Sequence, residues 1–266
     1  MAESIVDADL LNRGGVELTI QGRRATISLN RPEKLNAQTP ATWEALRAIG
    51  QGLDPDIRVV VVRGAGRAFS AGLDRRLFEQ AEVDGLPGLA ALAGRPTEQA
   101  DAEIASFQQA FSWLREPDRV TIAAVHGHAI GAGFQLALAC DMRVLAQDAR
   151  FRMAETSLGL VPDLGGTLPL VRAVGYAKAV EICVTGREVP ADEALQLGLA
   201  NAVVPVEGLD AAVDQLVESV LKPPAGAVRE TLALLVQADE QVDPEQQLAE
   251  ERSAQLRRIA ELLKSQ

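Results

Sequence analysis

Val125-His126-Gly127-His128-Ala129-Ile130-Gly131-Ala132-Gly133-Phe134, together with the earlier stretch Ala68-Phe69-Ser70-Ala71-Gly72-Leu73-Asp74, decides how this chain is read. Each is a turn of small residues placed directly after a β-branched run. Val120-Thr121-Ile122-Ala123-Ala124-Val125 leads into the first, and Arg58-Val59-Val60-Val61-Val62-Arg63 precedes the second. Gly and Ala let bare backbone N–H groups approach a ligand, because little side chain stands in the way. Two converging N–H groups make an oxyanion hole, which stabilises charge developing on a thioester or acyl oxygen. The pair therefore implies acyl transfer or enolate formation.

Strand and helix patterns alternate outward from these turns, as expected of an α/β core. Val16–Gln21 and Ala25–Asn30 alternate at period two around Gly22 and predict a hairpin. Thr39-Pro40 opens a helix through Gly52, with proline near its first turn. Residues 78–97, rich in Gly and Pro, predict a mobile loop, and 98–115 a helix. Further helices are expected at 132–140, 167–174, 177–185 and 191–198. Short strands are expected at 142–146, 150–153 and 200–205. The first thirteen residues read as a frayed lead-in. Beyond Leu209 the pattern is helical only, with Leu248, Leu256, Ile259 and Leu263 on one face of the last helix. That change sets the expected boundary: a core over 1–205 and a helical C-terminal domain over 206–266.

The chain has 266 residues, 47% of them hydrophobic, which suits a sizeable packed core. No apolar stretch reaches membrane-spanning length. The acidic start lacks a basic region followed by an apolar one, so no secretory leader is expected. Cys140 and Cys183 read as reduced thiols and the compartment as cytoplasmic. A net charge of −11 argues against nucleic-acid binding.

From about Val16 to the C-terminus the chain resembles the crotonase superfamily, the enoyl-CoA hydratases and isomerases. Four motifs carry the resemblance: Leu29-Asn30-Arg31-Pro32-Glu33-Lys34-Leu35-Asn36-Ala37, Gly66 to Asp74, Gly127 to Asp141, and Leu158-Gly159-Leu160-Val161-Pro162-Asp163-Leu164-Gly165-Gly166-Thr167. The resemblance implies an α/β spiral of repeated ββα units with a helical C-terminal domain that assembles homotrimers or homohexamers. It implies an acyl-CoA thioester as substrate, with CoA part of the substrate, no separate cofactor and no metal.

By the same motifs the backbone N–H groups of Leu73 and Ala132 would be the oxyanion donors. Lys34, Leu35, Ala37, Ala71, Asp74, Arg75 and Arg76 would bind CoA, with Arg67 nearby; a few local cations could hold phosphates on an acidic protein. Hydratases of the family use two carboxylates. One falls on Glu155; the other falls on Gln135, whose amide transfers no proton although it can orient a water. Asp163 resembles the base of dienoyl-CoA isomerases. It stands at the expected start of the Thr167 helix, where the helix dipole favours an ionised carboxylate. Catalysis is thus expected from Glu155 and Asp163 with Gln135 beside them, favouring a double-bond isomerase over a hydratase.

Two readings of other classes remain open. One is a serine acyl hydrolase using Ser70 with His126 or His128. The other is a silent acyl-CoA-binding protein. The two histidines are too few and poorly spaced for a metal site. Gly64-Ala65-Gly66-Arg67-Ala68-Phe69 lacks the third glycine of a dinucleotide fingerprint.

Overall fold

The valine runs become the interior of a largely parallel sheet, as strands apolar on both faces should. A computed structural model describes residues 6–80, 82–83, 86–240 and 243–264. In chain order the strands are β1 (Val16–Gln21), β2 (Arg24–Leu29), β3 (Val59–Gly64), β4 (Glu82–Val83), β5 (Leu86–Pro87), β6 (Val120–Val125), β7 (His128–Ile130), β8 (Met142–Ala146), β9 (Arg150–Arg152), β10 (Glu188–Pro190) and β11 (Ala202–Val204). The main sheet runs β1-β2-β3-β6-β8-β11. Only β1 and β2 pair antiparallel in it; every later neighbour is parallel. A second sheet, β10-β9-β7, stands beside it. The order β6-β7-helix, then β8-β9-helix, repeats the expected ββα unit.

The helices are α1 (Ala8–Gly14), α2 (Pro40–Gly52), α3 (Arg76–Glu79), α4 (Leu89–Ala93), α5 (Thr97–Ser112), α6 (Ala132–Ala139), α7 (Thr167–Val174), α8 (Tyr176–Thr185), α9 (Ala191–Gln196), α10 (Leu209–Leu221), α11 (Ala225–Glu240) and α12 (Pro244–Lys264). Local chemistry explains their ends. Thr39 caps α2 in a reciprocal box with Thr42, and Pro40 takes the first position. All eight residues of α6 are buried, which is why its sequence is apolar all round. Its last turn is closed by Arg143, whose Nη1 donates to Ala137 O (3.3 Å) and Cys140 O (2.7 Å).

Alternation along the strands divides the core in two. Val60, Val62, Ala123, Val125 and Leu145 join Trp43, Leu46, Ile49, Phe111 and Phe134 on one side of the sheet. Val59, Val61, Val120, Ile122, Ala124 and Val144 face the other side, where Leu209, Val213 and Val217 of α10 cover them. Arg58 fastens the end of α10, donating to Leu221 O (2.9 Å), Val220 O (3.2 Å) and Pro223 O (2.8 Å).

Three local expectations change. The lead-in is helical over 8–14, because Asp7 accepts from Asp9 N–H and left-handed Gly15 closes the other end. The segment expected as a mobile loop contains the β4–β5 hairpin and α4, with residues 81, 84 and 85 outside the described ones. Strands β7 and β10, three residues each, were too short for a periodic pattern to reveal.

Candidate active site

The two small-residue turns lie against each other. Phe69 and Ser70 N–H donate to His126 O and His128 O, and Ile130 N–H donates back to Ser70 O, each at 2.9 Å. Gln38 grips the Ala68–Asp74 turn from its far side: its N–H reaches Gly72 O (2.7 Å) and its carbonyl accepts Asp74 N–H (2.9 Å). Gly72 C=O and Leu73 N–H belong to one trans peptide and point in opposite directions, so the N–H of Leu73 points away from Gln38. Ala132 opens α6, whose leading N–H groups have no partner within the helix. Gly72 has φ +84°, and a Cβ there would lie 2.5 Å from Ile130 O and 3.6 Å from Ala132 N. Only glycine permits this approach, which brings the turns carrying Leu73 and Ala132 into contact.

A buried polar chain backs this surface. Trp43 Nε1 donates to Gln38 Oε1 (2.8 Å), Gln38 Nε2 to Ser70 Oγ (3.1 Å), and Ser70 Oγ to Asn36 O (2.8 Å). Ser70 is fully buried, and a Cβ on Gly133 would come within 2.6 Å of its carbonyl oxygen. His126 is hydrogen-bonded to Gly66 O (2.8 Å), and His128 is exposed. The serine–histidine pair of a hydrolase is therefore not assembled: Ser70 braces a turn. Among the described residues no three His, Cys, Asp or Glu side chains cluster as a metal site.

The residues expected to bind CoA occupy two adjoining loops. Leu35 and Asn36 both adopt positive φ, at 51° and 55°. Leu35 O accepts from Ala71 N–H (2.8 Å), and Asn36 Nδ2 donates to both Ala65 O and Ala68 O (2.8 Å each), joining the loops. Lys34 and Arg75 are exposed, and Ala37 O accepts from Arg31 Nη1 (2.8 Å). Asp74 departs from a ligand-facing role. Its buried carboxylate is bracketed by Arg31 Nη2 (3.0 Å) and Arg76 Nη2 (2.9 Å). Burial alone would raise the Asp74 pKa, but hydrogen bonds and charge from Arg76 and Arg31 bring it down to about 2. Arg76 is thus committed to Asp74 in the free chain. Asn36, Gln38 and Arg31 had no assigned role from sequence; the available signal was polar residues set inside a motif that is otherwise small and apolar.

Glu155 opens a short 3-10 turn just after β9 and is buried. Its Oε1 accepts from Gln135 Nε2 (2.7 Å), while its buried Oε2 has no hydrogen-bond partner among the described residues. Gly131, immediately before α6, lies beneath this carboxylate: a Cβ there would sit 3.2 Å from Oε1. Burial raises the Glu155 pKa, the hydrogen bond from Gln135 opposes that, and the charge of Asp163 adds to the rise. Asp163 stands exposed at the rim, on the turn leading to α7, with its backbone carbonyl held by Gln108 Nε2 (2.7 Å). Its pKa is raised by the desolvating protein around it, against a counteracting backbone N–H. Asp163 is not the helix cap: Gly166 is the N-cap of α7, and the Asp163 pKa is raised where the expected helix-start position would lower it. Cys183, half-buried on α8, also senses Glu155, and burial and that charge raise its thiol pKa. Glu155, Asp163 and Gln135 are brought together beside Ala132.

Comparison with known proteins agrees with this geometry. A structure from Thermobifida fusca, assigned as an enoyl-CoA hydratase and solved with CoA, superposes with a TM-score of 0.92 at 49% identity. The match covers 98% of this chain and 99% of that one. A second structure of the assigned hydratase from that organism, with acetoacetyl-CoA, gives 0.93 at 49% identity over 97% and 100%. The human mitochondrial Delta(3,5)-Delta(2,4)-dienoyl-CoA isomerase is 36% identical over 223 residues, covering 81% of this chain and 66% of that protein. The family model described as enoyl-CoA hydratase/isomerase matches residues 19–262. With its parallel α/β core and paired small-residue turns, the chain is an enzyme of the enoyl-CoA hydratase/isomerase family, a member of the crotonase superfamily.

Proposed function

We propose that the protein isomerises a double bond of an enoyl- or dienoyl-CoA through a thioester enolate. The observation that carries this reading is the pairing of Glu155, whose buried Oε2 is unengaged, with Asp163 across one turn, while the third position is an amide. An amide moves no proton, so Glu155 and Asp163 are the two groups able to do so there. Both carboxyls have raised pKa values, and the charge of Asp163 adds to the rise at Glu155. The ionised member removes a proton from the substrate. The charge spreads onto the thioester oxygen, held by the N–H groups of Leu73 and Ala132 at the positive end of α6. A proton returned to the other end of the conjugated system completes the shift. The isomerase among the relatives and the CoA-bound structures among the neighbours support the substrate class.

Deuterium incorporation at C2 and C4 of a 3-enoyl-CoA in heavy water tests this. Glu155→Gln and Asp163→Asn should each cut exchange by about 10²–10⁴; undiminished exchange in both removes the assignment. Activity needs an ionised base, so kcat/KM should fall as the pH drops through the Glu155 pKa, above the ordinary 4.5. Hydration of a 2-enoyl-CoA is the second reading, favoured by the hydratase assignment of the T. fusca structures. Product analysis on matched 2-enoyl and 3-enoyl esters separates the two.

The same reading includes self-assembly as a homotrimer or homohexamer, supported by apolar residues left exposed on α7, α8 and α12. It also includes a cytoplasmic setting, which the free thiols of Cys140 and Cys183 suit.

A further inference from the structure

Gln135 transfers no proton, yet it is 1% exposed and stands where three segments meet. Its Oε1 accepts from Leu164 N–H (2.9 Å) and Gly166 N–H (3.2 Å), and its Nε2 donates to Glu155 Oε1 (2.7 Å). Backbone N–H groups can be accepted only by the amide oxygen, so the orientation of this side chain is fixed and its NH₂ must face Glu155. The fit is close: a Cβ on Gly166 would lie 2.6 Å from Gln135 Cγ. Its carbonyl oxygen is taken up by the backbone.

We propose that Gln135 is a positioning residue, which keeps Glu155 Oε1 hydrogen-bonded so that proton transfer uses Oε2, and which ties the Asp163 turn to Glu155 through its amide. This deepens the isomerase reading and rests on it. The amide ties α6, which carries the Ala132 N–H, to both acids, so donor and proton-transfer groups share one frame. Its neutrality matters as well. A carboxylate at 135 would place a third negative group beside Glu155 and Asp163. The titratable groups facing Glu155 are Asp163 on the turn before α7 and the Cys183 thiol on α8.

Two variants of the full chain test the proposal. Gln135→Met removes the donor and the acceptor; Gln135→Glu keeps an acceptor for Leu164 and Gly166 but ionises beside Glu155. The primary readout is the infrared titration of the Glu155 carboxyl band, identified by its loss in Glu155→Gln, so it does not depend on which substrate is correct. Losing a hydrogen bond to a charged group, or gaining a like charge, should raise the midpoint by about one pH unit or more in both variants. The acid limb of kcat/KM should move with it, while KM for the CoA ester stays near the wild-type value. Gln135→Glu should retain thermal stability closer to wild type than Gln135→Met, because its oxygen still holds the turn. An unmoved Glu155 midpoint in the folded Gln135→Glu protein overturns the proposal, as does lost stability with an unchanged pH profile. If the midpoint shifts but Glu155→Gln and Asp163→Asn both still exchange deuterium at the wild-type rate, the isomerase reading fails while the hydrogen-bonding assignment stands.

Discussion

Asp74 shows how one buried charge shapes a loop. Its carboxylate holds Arg31 and Arg76 together and keeps the turn bearing Leu73 in place, with Asp74 N–H bound to Gln38. The folded pKa, about 2, lies below the ordinary 3.8. A depressed acid binds fewer protons folded than unfolded, so its stabilisation is complete above 3.8 and is lost as the pH falls toward 2. Asp74→Asn should therefore lower stability at neutral pH by on the order of 2 kcal/mol and flatten the slope of stability between pH 4 and 2. Urea titrations of both proteins at several pH values measure this, and parallel curves would count against it. The site acid Glu155 acts in the opposite sense. A raised pKa means that buried Glu155 reduces stability as the pH rises through its titration, the cost of keeping a carboxyl out of water.

At the scale of elements, α10 and α12 differ although both are amphipathic helices beyond residue 205. Leu209, Val213 and Val217 of α10 close one face of the main sheet, and Arg58 anchors its last carbonyls. On α12, Leu248, Leu256 and Leu263 are more than half exposed. Ending the chain at 205 should uncover Val59, Val61 and Ile122 and produce aggregates, since large exposed apolar patches associate. Ending it at 240 should leave a folded core with native-like circular dichroism. A well-folded 1–205 protein, or an aggregated 1–240 protein, would show this division to be wrong. Helix α6 works by a different principle. It is buried on every side and capped by Arg143, so it presents Ala132 from a rigid base.

For the whole molecule, two stretches carry many of the exposed apolar residues: Leu158, Val161, Leu168, Tyr176 and Val184 between the Glu155 turn and the end of α8, and the α12 stripe. A net charge of −11 opposes indiscriminate association, so such surfaces suit specific contacts. Light scattering should give three or six times the 28.3 kDa chain mass. A monomer at micromolar concentration would exclude the proposed assembly.

The sequence by itself determined the α/β architecture and marked the two small-residue turns that the fold brings together. Valine runs ending in glycine turns can only be strands feeding loops, and the turns' small residues already announced close backbone approach. What it could not determine was how polar groups are shared. Whether Asp74 faces a ligand or two arginines, and which groups the Gln135 amide joins, depends on partners distant in sequence. Strands β7 and β10 likewise exist because β9 lies between them, not because three residues carry a pattern. Apolar periodicity is local and survives in the sequence; hydrogen bonding, desolvation and charge coupling are set by long-range neighbours and exist only once the chain has folded.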